Sequence, residues 1–132
     1  MAIIRKDIEM ARASTAWTFA VAGKAESAKK YSSHVKEFPM LILTNGLLNA
    51  VAFAYEKGGI GNLQSSDGEK GWKILYSQLS QWLKSGILKN DFTTETELMK
   101  VLINIKSDSA KLRAVTNEIM SLFTWLKRFV TE

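Results

Sequence analysis

The residues able to carry chemistry in this chain are few. There is one histidine, His34, and no cysteine. Disulfides, thiolate metal sites, iron–sulfur clusters and cysteine nucleophiles are therefore excluded, as is any site built from several imidazoles. His34 has Lys30, Lys36 and Glu37 near it in sequence and no second ligand, so it reads as a surface or satisfied structural histidine. Glu95 and Glu97 are two residues apart and diverge on a helix. They suit the positive end of a helix dipole better than a paired acid and base. Gly58-Gly59-Ile60-Gly61-Asn62 is glycine-rich but lacks the lysine and hydroxyl of a phosphate loop and has no strand before it. It reads as a connector. No catalytic, metal or cofactor constellation is expected, and the chain is read as a non-enzyme.

Charge is more informative. The net formal charge is +5, and residues 1–37 hold seven basic against four acidic side chains. Lys24, Lys29, Lys30 and Lys36 form one basic group, and Arg5, Lys6 and Arg12 a second. Lys111, Arg113, Lys127 and Arg128 add a third near the C-terminus. Two readings stand. The groups form a face that tracks a phosphate backbone without reading bases, or they are the ordinary solvated side of helices. Four tryptophans, Trp17, Trp72, Trp82 and Trp125, lie near helical stripes. Core packing accounts for most, and one is a candidate interface anchor. Asn45 and Asn49 interrupt an apolar stretch and suit backbone hydrogen bonding or a polar spot at a subunit contact.

The elements that must position these groups are helical. With 132 residues, 46% of them hydrophobic, the chain is long enough for one domain spanning residues 1–132 with a core of its own. No period-2 alternation of any length occurs. The spacing predicts a single all-α bundle of about five helices, with a long first and a long last helix. An alanine-rich first helix over about 2–36 carries a stripe at Met10, Trp17, Val21, Ala28, Tyr31 and Val35, and Pro39 should end it. A second over about 39–57 is apolar nearly all round, through Leu41, Leu43, Leu47, Leu48, Val51 and Phe53, as in a central helix. A third follows a Ser66–Glu69 capping box, with Trp72, Leu75, Tyr76, Leu79, Trp82 and Leu83 inward. A fourth runs over about 94–105, with Thr94 and Glu97 as its capping pair. The fifth starts near Ser107 or Asp108 and carries a heptad seam at Leu112, Val115, Ile119, Leu122, Leu126 and Phe129. No signal sequence is visible at the N-terminus, and the uncharged stretch 38–55 holds Pro39, Asn45, Gly46 and Asn49, so a cytoplasmic protein without a membrane span is expected.

Several segments together carry a family resemblance. Lys30-Tyr31, Phe38-Pro39-Met40-Leu41-Ile42, Thr44-Asn45-Gly46-Leu47-Leu48, Ala52-Phe53-Ala54-Tyr55 and Lys57-Gly58, followed by Glu118, Leu122 and Trp125-Leu126-Lys127-Arg128-Phe129, resemble the small helical subunit of the Cmr-type (type III-B) CRISPR effector complex. The resemblance implies a compact helical bundle without catalytic activity or cofactor. It implies copies stacked head to tail, backbone and large Cmr subunits as neighbours, and guide RNA and single-stranded target RNA as partners in antiviral defence. Pro39, Asn45, Gly46, Leu47, Phe53 and Trp125 are then the structural motif. Charge clustering, not a family motif, selects Lys24, Lys29, Lys30, Lys36, Lys127 and Arg128 as phosphate contacts. A helical module that binds only protein is the alternative.

Overall fold

The computed structural model describes residues 2–58, 67–92 and 97–130, with side chains for 7–26, 30–58, 70–92 and 97–130. Five α-helices follow in order: α1 (Ala2–Asn45), α2 (Leu47–Lys57), α3 (Asp67–Ser85), α4 (Leu98–Asn104) and α5 (Ser109–Val130). A 3₁₀ turn, Lys89–Phe92, precedes α4. There is no strand among the described residues, and the architecture is the expected all-α bundle.

α1 departs most from expectation, because it is not straight. The Gln78 side chain donates to the Phe19 carbonyl at 2.9 Å and accepts from the Tyr31 hydroxyl at 2.5 Å. On a straight helix Phe19 and Tyr31 would lie about 18 Å apart along the axis, too far for one amide to reach both. Likewise Arg12 meets Glu118 on α5, while Phe38 packs against Phe123 only a little further along the same helix. α1 therefore bends sharply between Gly23 and Tyr31, giving a first arm that ends at Gly23 and a second that starts at Tyr31. Gly23 permits the bend. A β-carbon there would lie 2.3 Å from the Tyr31 ring, so only a residue without one allows the ring to seat.

The second arm runs through Pro39 and ends at Asn45, beyond the proline expected to stop it. A proline inside a helix costs about 3 kcal/mol through its missing N–H and its clash with the preceding turn. Val35, Phe38 and Ile42 around it are all buried, and each contributes about 1.5–3 kcal/mol by leaving water. Burial wins, and the break falls instead at Gly46. This residue holds φ 87° and ψ 162°, a region open essentially to glycine alone. Its amide still donates to the Ile42 carbonyl at 2.8 Å, and its carbonyl accepts from Ala50 at 3.0 Å. One residue thus redirects the chain without orphaning the backbone. A β-carbon at Gly46 would meet nothing within 4 Å, so Gly46→Ala imposes backbone strain alone. A loss of about 1–3 kcal/mol is expected, read as a lowered urea midpoint with unchanged slope.

The core is continuous across all the helices. It takes Ala16, Phe19 and Ala20 from the first arm, Tyr31, Val35 and Phe38 from the second, and Leu47, Val51 and Ala54 from α2. α3 contributes Trp72, Leu75, Leu79 and Leu83, α4 Leu98, Val101 and Leu102, and α5 Val115, Ile119, Leu122, Phe123, Leu126 and Val130. The α5 seam is as expected at its centre, with Leu112 and Phe129 only half-buried. The first arm buries a different face from the one its large residues predict. Its core face sets Phe19 among small residues (Ala16, Ala20, Gly23) that allow close approach, while Met10, Trp17 and Val21 point to solvent. The stretch expected to be apolar all round is likewise one-sided: Met40 and Leu43 are exposed, Leu43 at 70%.

The start of α4 also differs. α4 begins at Leu98 with Glu97 as its N-cap and no side-chain capping bond, because the Glu97 carboxylate accepts from the Tyr76 hydroxyl instead. Thr94 and Ser66, the expected capping residues, lie outside the described residues. At the start of α5 the Asp108 carboxylate accepts from the Lys111 amide at 3.0 Å.

Candidate nucleic-acid interface

α5 and the second arm of α1 meet along a shallow groove. Met120, Phe123, Thr124, Lys127 and Arg128 are spaced by three and four residues and so share one face of α5. With Pro39 they line a cavity of about 360 Å³. Phe123 and Pro39 are buried and form the floor, Met120 is half-buried, and Lys127 and Arg128 reach solvent. Both cations sit in the last turn of α5, where the negative end of the helix dipole favours them. The Arg128 guanidinium lies 5.1 Å from the Trp125 ring centre, a cation–π contact that restricts its orientation. Trp125 in turn donates its indole N–H to Glu9 Oε1 at 2.9 Å. The Thr124 hydroxyl donates to the Met120 carbonyl at 2.9 Å.

A second cleft, of about 340 Å³, lies between the first arm and the end of α5. Trp17, Ala20, Val21, Lys24, Ala25 and Phe129 line it. Trp17 is 58% exposed and meets Phe129 edge to face at 5.3 Å. Trp72 is buried, while Trp82 and Trp125 are half-buried, so Trp17 is the tryptophan placed as an interface anchor would be.

The sequence-selected cations are thus divided. Lys127 and Arg128 share the first groove, and Lys24 belongs to the second cleft. Lys36 is exposed on the second arm, one turn before Pro39, and Lys30 is exposed just ahead of that arm. The Lys29 side chain lies outside the described residues. Of the motif residues, Asn45 and Gly46 form the α1–α2 joint, and the Asn49 amide donates to the Asn45 carbonyl at 2.9 Å. Leu47 is buried, and Phe53 packs edge to face on Trp72 at 5.2 Å. His34 is structural in placement, stacked on Trp72 with 4.2 Å between ring centres.

Arg12 does not belong to a basic face. Its guanidinium grips Glu118 through two bonds of 3.0 and 2.9 Å and reaches Glu9 at 3.0 Å. Glu118 also accepts from the Trp82 indole at 2.9 Å. The hydrogen bond from Arg12 holds the Glu118 carboxyl below its ordinary range, reinforced by Trp82 and opposed by burial. The hydrogen bond to Glu118, opposed by burial, raises the Arg12 guanidinium. Lys111 is likewise paired, 2.8 Å from Asp91. Sequence reasoning missed both this cluster and Gln78. The signal was present, since Gln78 and Glu118 each sit three residues after, and four before, members of an apolar stripe. A polar side chain on a buried face needs partners.

The class these features define is a small all-helical protein. It offers a cationic groove and an exposed tryptophan, and among the described residues no group of three acids or histidines that could hold a metal. No described helix is long and apolar enough to cross a membrane. The CRISPR-associated protein family Cas_Cmr5 matches residues 8–132, and the chain belongs to that family, the small subunits of Cmr-type (type III-B) CRISPR complexes.

Proposed function

We propose that the protein is a non-catalytic subunit of an RNA-guided, RNA-targeting effector. Copies stack head to tail beside the backbone and large Cmr subunits in the cytoplasm, and a basic surface lines the path of guide and target RNA. The observation that carries the RNA part is the groove at Lys127 and Arg128, with Lys36 on the neighbouring arm and Lys30 just before it. Two cations at a helix terminus over an apolar floor suit a phosphate backbone. Single contacts of this kind are weak, and assembly strengthens them because many subunits engage one strand.

Replacing Lys29, Lys30 and Lys36 with glutamate should lower target-RNA retention by the assembled complex while assembly itself persists. Filter binding after gel filtration of the complex reads both. Unchanged retention would contradict an RNA path along the second arm. The second reading, a helical module that contacts only protein, is favoured by the exposed Trp17 with Met10 and Val21 on one stripe. It predicts that Trp17→Ala abolishes assembly whereas the lysine changes have no effect on either measurement.

A further inference from the structure

We propose that the groove between α5 and the second arm of α1 seats one nucleotide of single-stranded RNA. Its base lies on Pro39 and Met120, and its phosphates lie against Lys127 and Arg128. The inference rests on the reading of the protein as an RNA-path subunit and goes beyond it, since that reading requires phosphate contacts only.

Three observations carry it. The first is size: about 360 Å³ is at the small end of ligand sites, which run from about 300 to 1,000 Å³. This is room for one planar base and its sugar. The second is polarity. The walls combine a proline ring, a thioether and the edge of a buried phenylalanine with two cations, and no acidic side chain lines the groove among the described residues. An apolar floor with a cationic rim matches a base joined to a phosphate. The third is pre-organisation. Arg128 is held over Trp125, and Thr124 spends its proton on the Met120 carbonyl. The threonine oxygen therefore remains an acceptor. One acceptor distinguishes bases poorly, so the seat should tolerate any base.

The test uses the full chain and fluorescence anisotropy with two probes of about 15 units: labelled oligouridylate, and an abasic oligomer of equal phosphate count. The abasic probe should bind about threefold to tenfold more weakly. In the Lys127→Gln/Arg128→Gln variant that gap should close. The slope of log K against log salt should fall by about 1.4, roughly 0.7 for each phosphate contact on a single strand. Both side chains are exposed, so the variant should keep its helical circular-dichroism spectrum and still melt cooperatively. Photo-crosslinking with thiouridine-substituted RNA should mark peptides containing Pro39 and Met120.

Equal binding of the two probes would overturn the base seat and leave phosphate contact standing. A persistent gap and slope in the double variant would overturn the groove as the site while RNA binding stands. Absence of binding by either probe, isolated and in the assembled complex, would remove the RNA-path reading and the seat together. Loss of a protein partner in the double variant, with RNA binding intact, would assign the groove to protein.

Discussion

Gly23→Ala should lower the unfolding free energy by about 2–6 kcal/mol. The added methyl would lie 2.3–2.4 Å from three atoms of the Tyr31 ring, so the ring or the bend must move. Overpacking a close-packed site costs about 1–3 kcal/mol. Tyr31 is fully buried and hydrogen-bonded to Gln78, and a displaced ring leaves that amide unsatisfied, at about 1–3 kcal/mol more. Burial also raises the Tyr31 hydroxyl well above its ordinary range, with the Gln78 bond acting in the opposite direction. The hydroxyl therefore stays protonated and keeps donating. The control is the same substitution in a Tyr31→Leu background. With the ring gone, alanine should be neutral or stabilise by up to about 1 kcal/mol, as it does in an unobstructed helix. Urea denaturation of the four proteins reads the coupling, and a loss below about 1 kcal/mol in the native background would contradict the account of the bend.

The second large effect is expected at Glu118. Replacing it with alanine leaves the Arg12 guanidinium and the Trp82 indole N–H without their main acceptor. The side chains of Arg12 and Glu118 are 16% and 17% exposed, so the pair is neither surface nor fully desolvated. Removing one partner of a fully buried pair costs about 3–5 kcal/mol, and retained access to water and to Glu9 reduces the expectation to about 2–4 kcal/mol. Glu118→Gln keeps an acceptor for Trp82 and should cost less. The folded-state pKa of Glu118 lies below its unfolded value. Its stabilisation is therefore complete above the unfolded carboxylate range, about 4.3, and is lost as pH falls through the lower folded value. Thermal melts from about pH 7 down to pH 3 should show the native protein losing this increment. Glu118→Gln should lack that part of the acid dependence, and parallel curves for the two proteins would contradict it.

These two positions show what periodicity can and cannot reveal. The α5 seam was legible because six large residues keep one heptad register against a continuous neighbour. The core face of α3 was legible for the same reason, and Gln78 on it was an overlooked warning. The first arm of α1 misled because, Phe19 apart, its buried face is made of small residues. Ala16, Ala20 and Gly23 pack where an approaching helix leaves little room, and the large Met10, Trp17 and Val21 are left outside. The bend was invisible because the close approach it requires, of the Tyr31 ring to Gly23, is not signalled by the spacing of apolar residues. Pro39 misled in the opposite sense, as a local helix breaker overruled by the burial of Val35, Phe38 and Ile42. In the candidate groove Lys127 and Arg128 lie together, because sequence neighbours in one helical turn remain neighbours in space. Clustering failed for Arg12, whose partner Glu118 lies more than a hundred residues away. Charge counted along a chain does not reveal which charges are already paired.

The most direct test of the central claim is purification of the tagged chain from its native cells, with sequencing of the bound RNA and ultraviolet crosslinking to locate it on the protein. The account predicts short repeat-derived guide RNAs, co-purifying Cmr subunits, and crosslinks on the second arm of α1 and the last two turns of α5. Recovery of the subunits with guide RNA that never crosslinks to this chain would contradict it, and would leave the protein as a helical contact module within the complex.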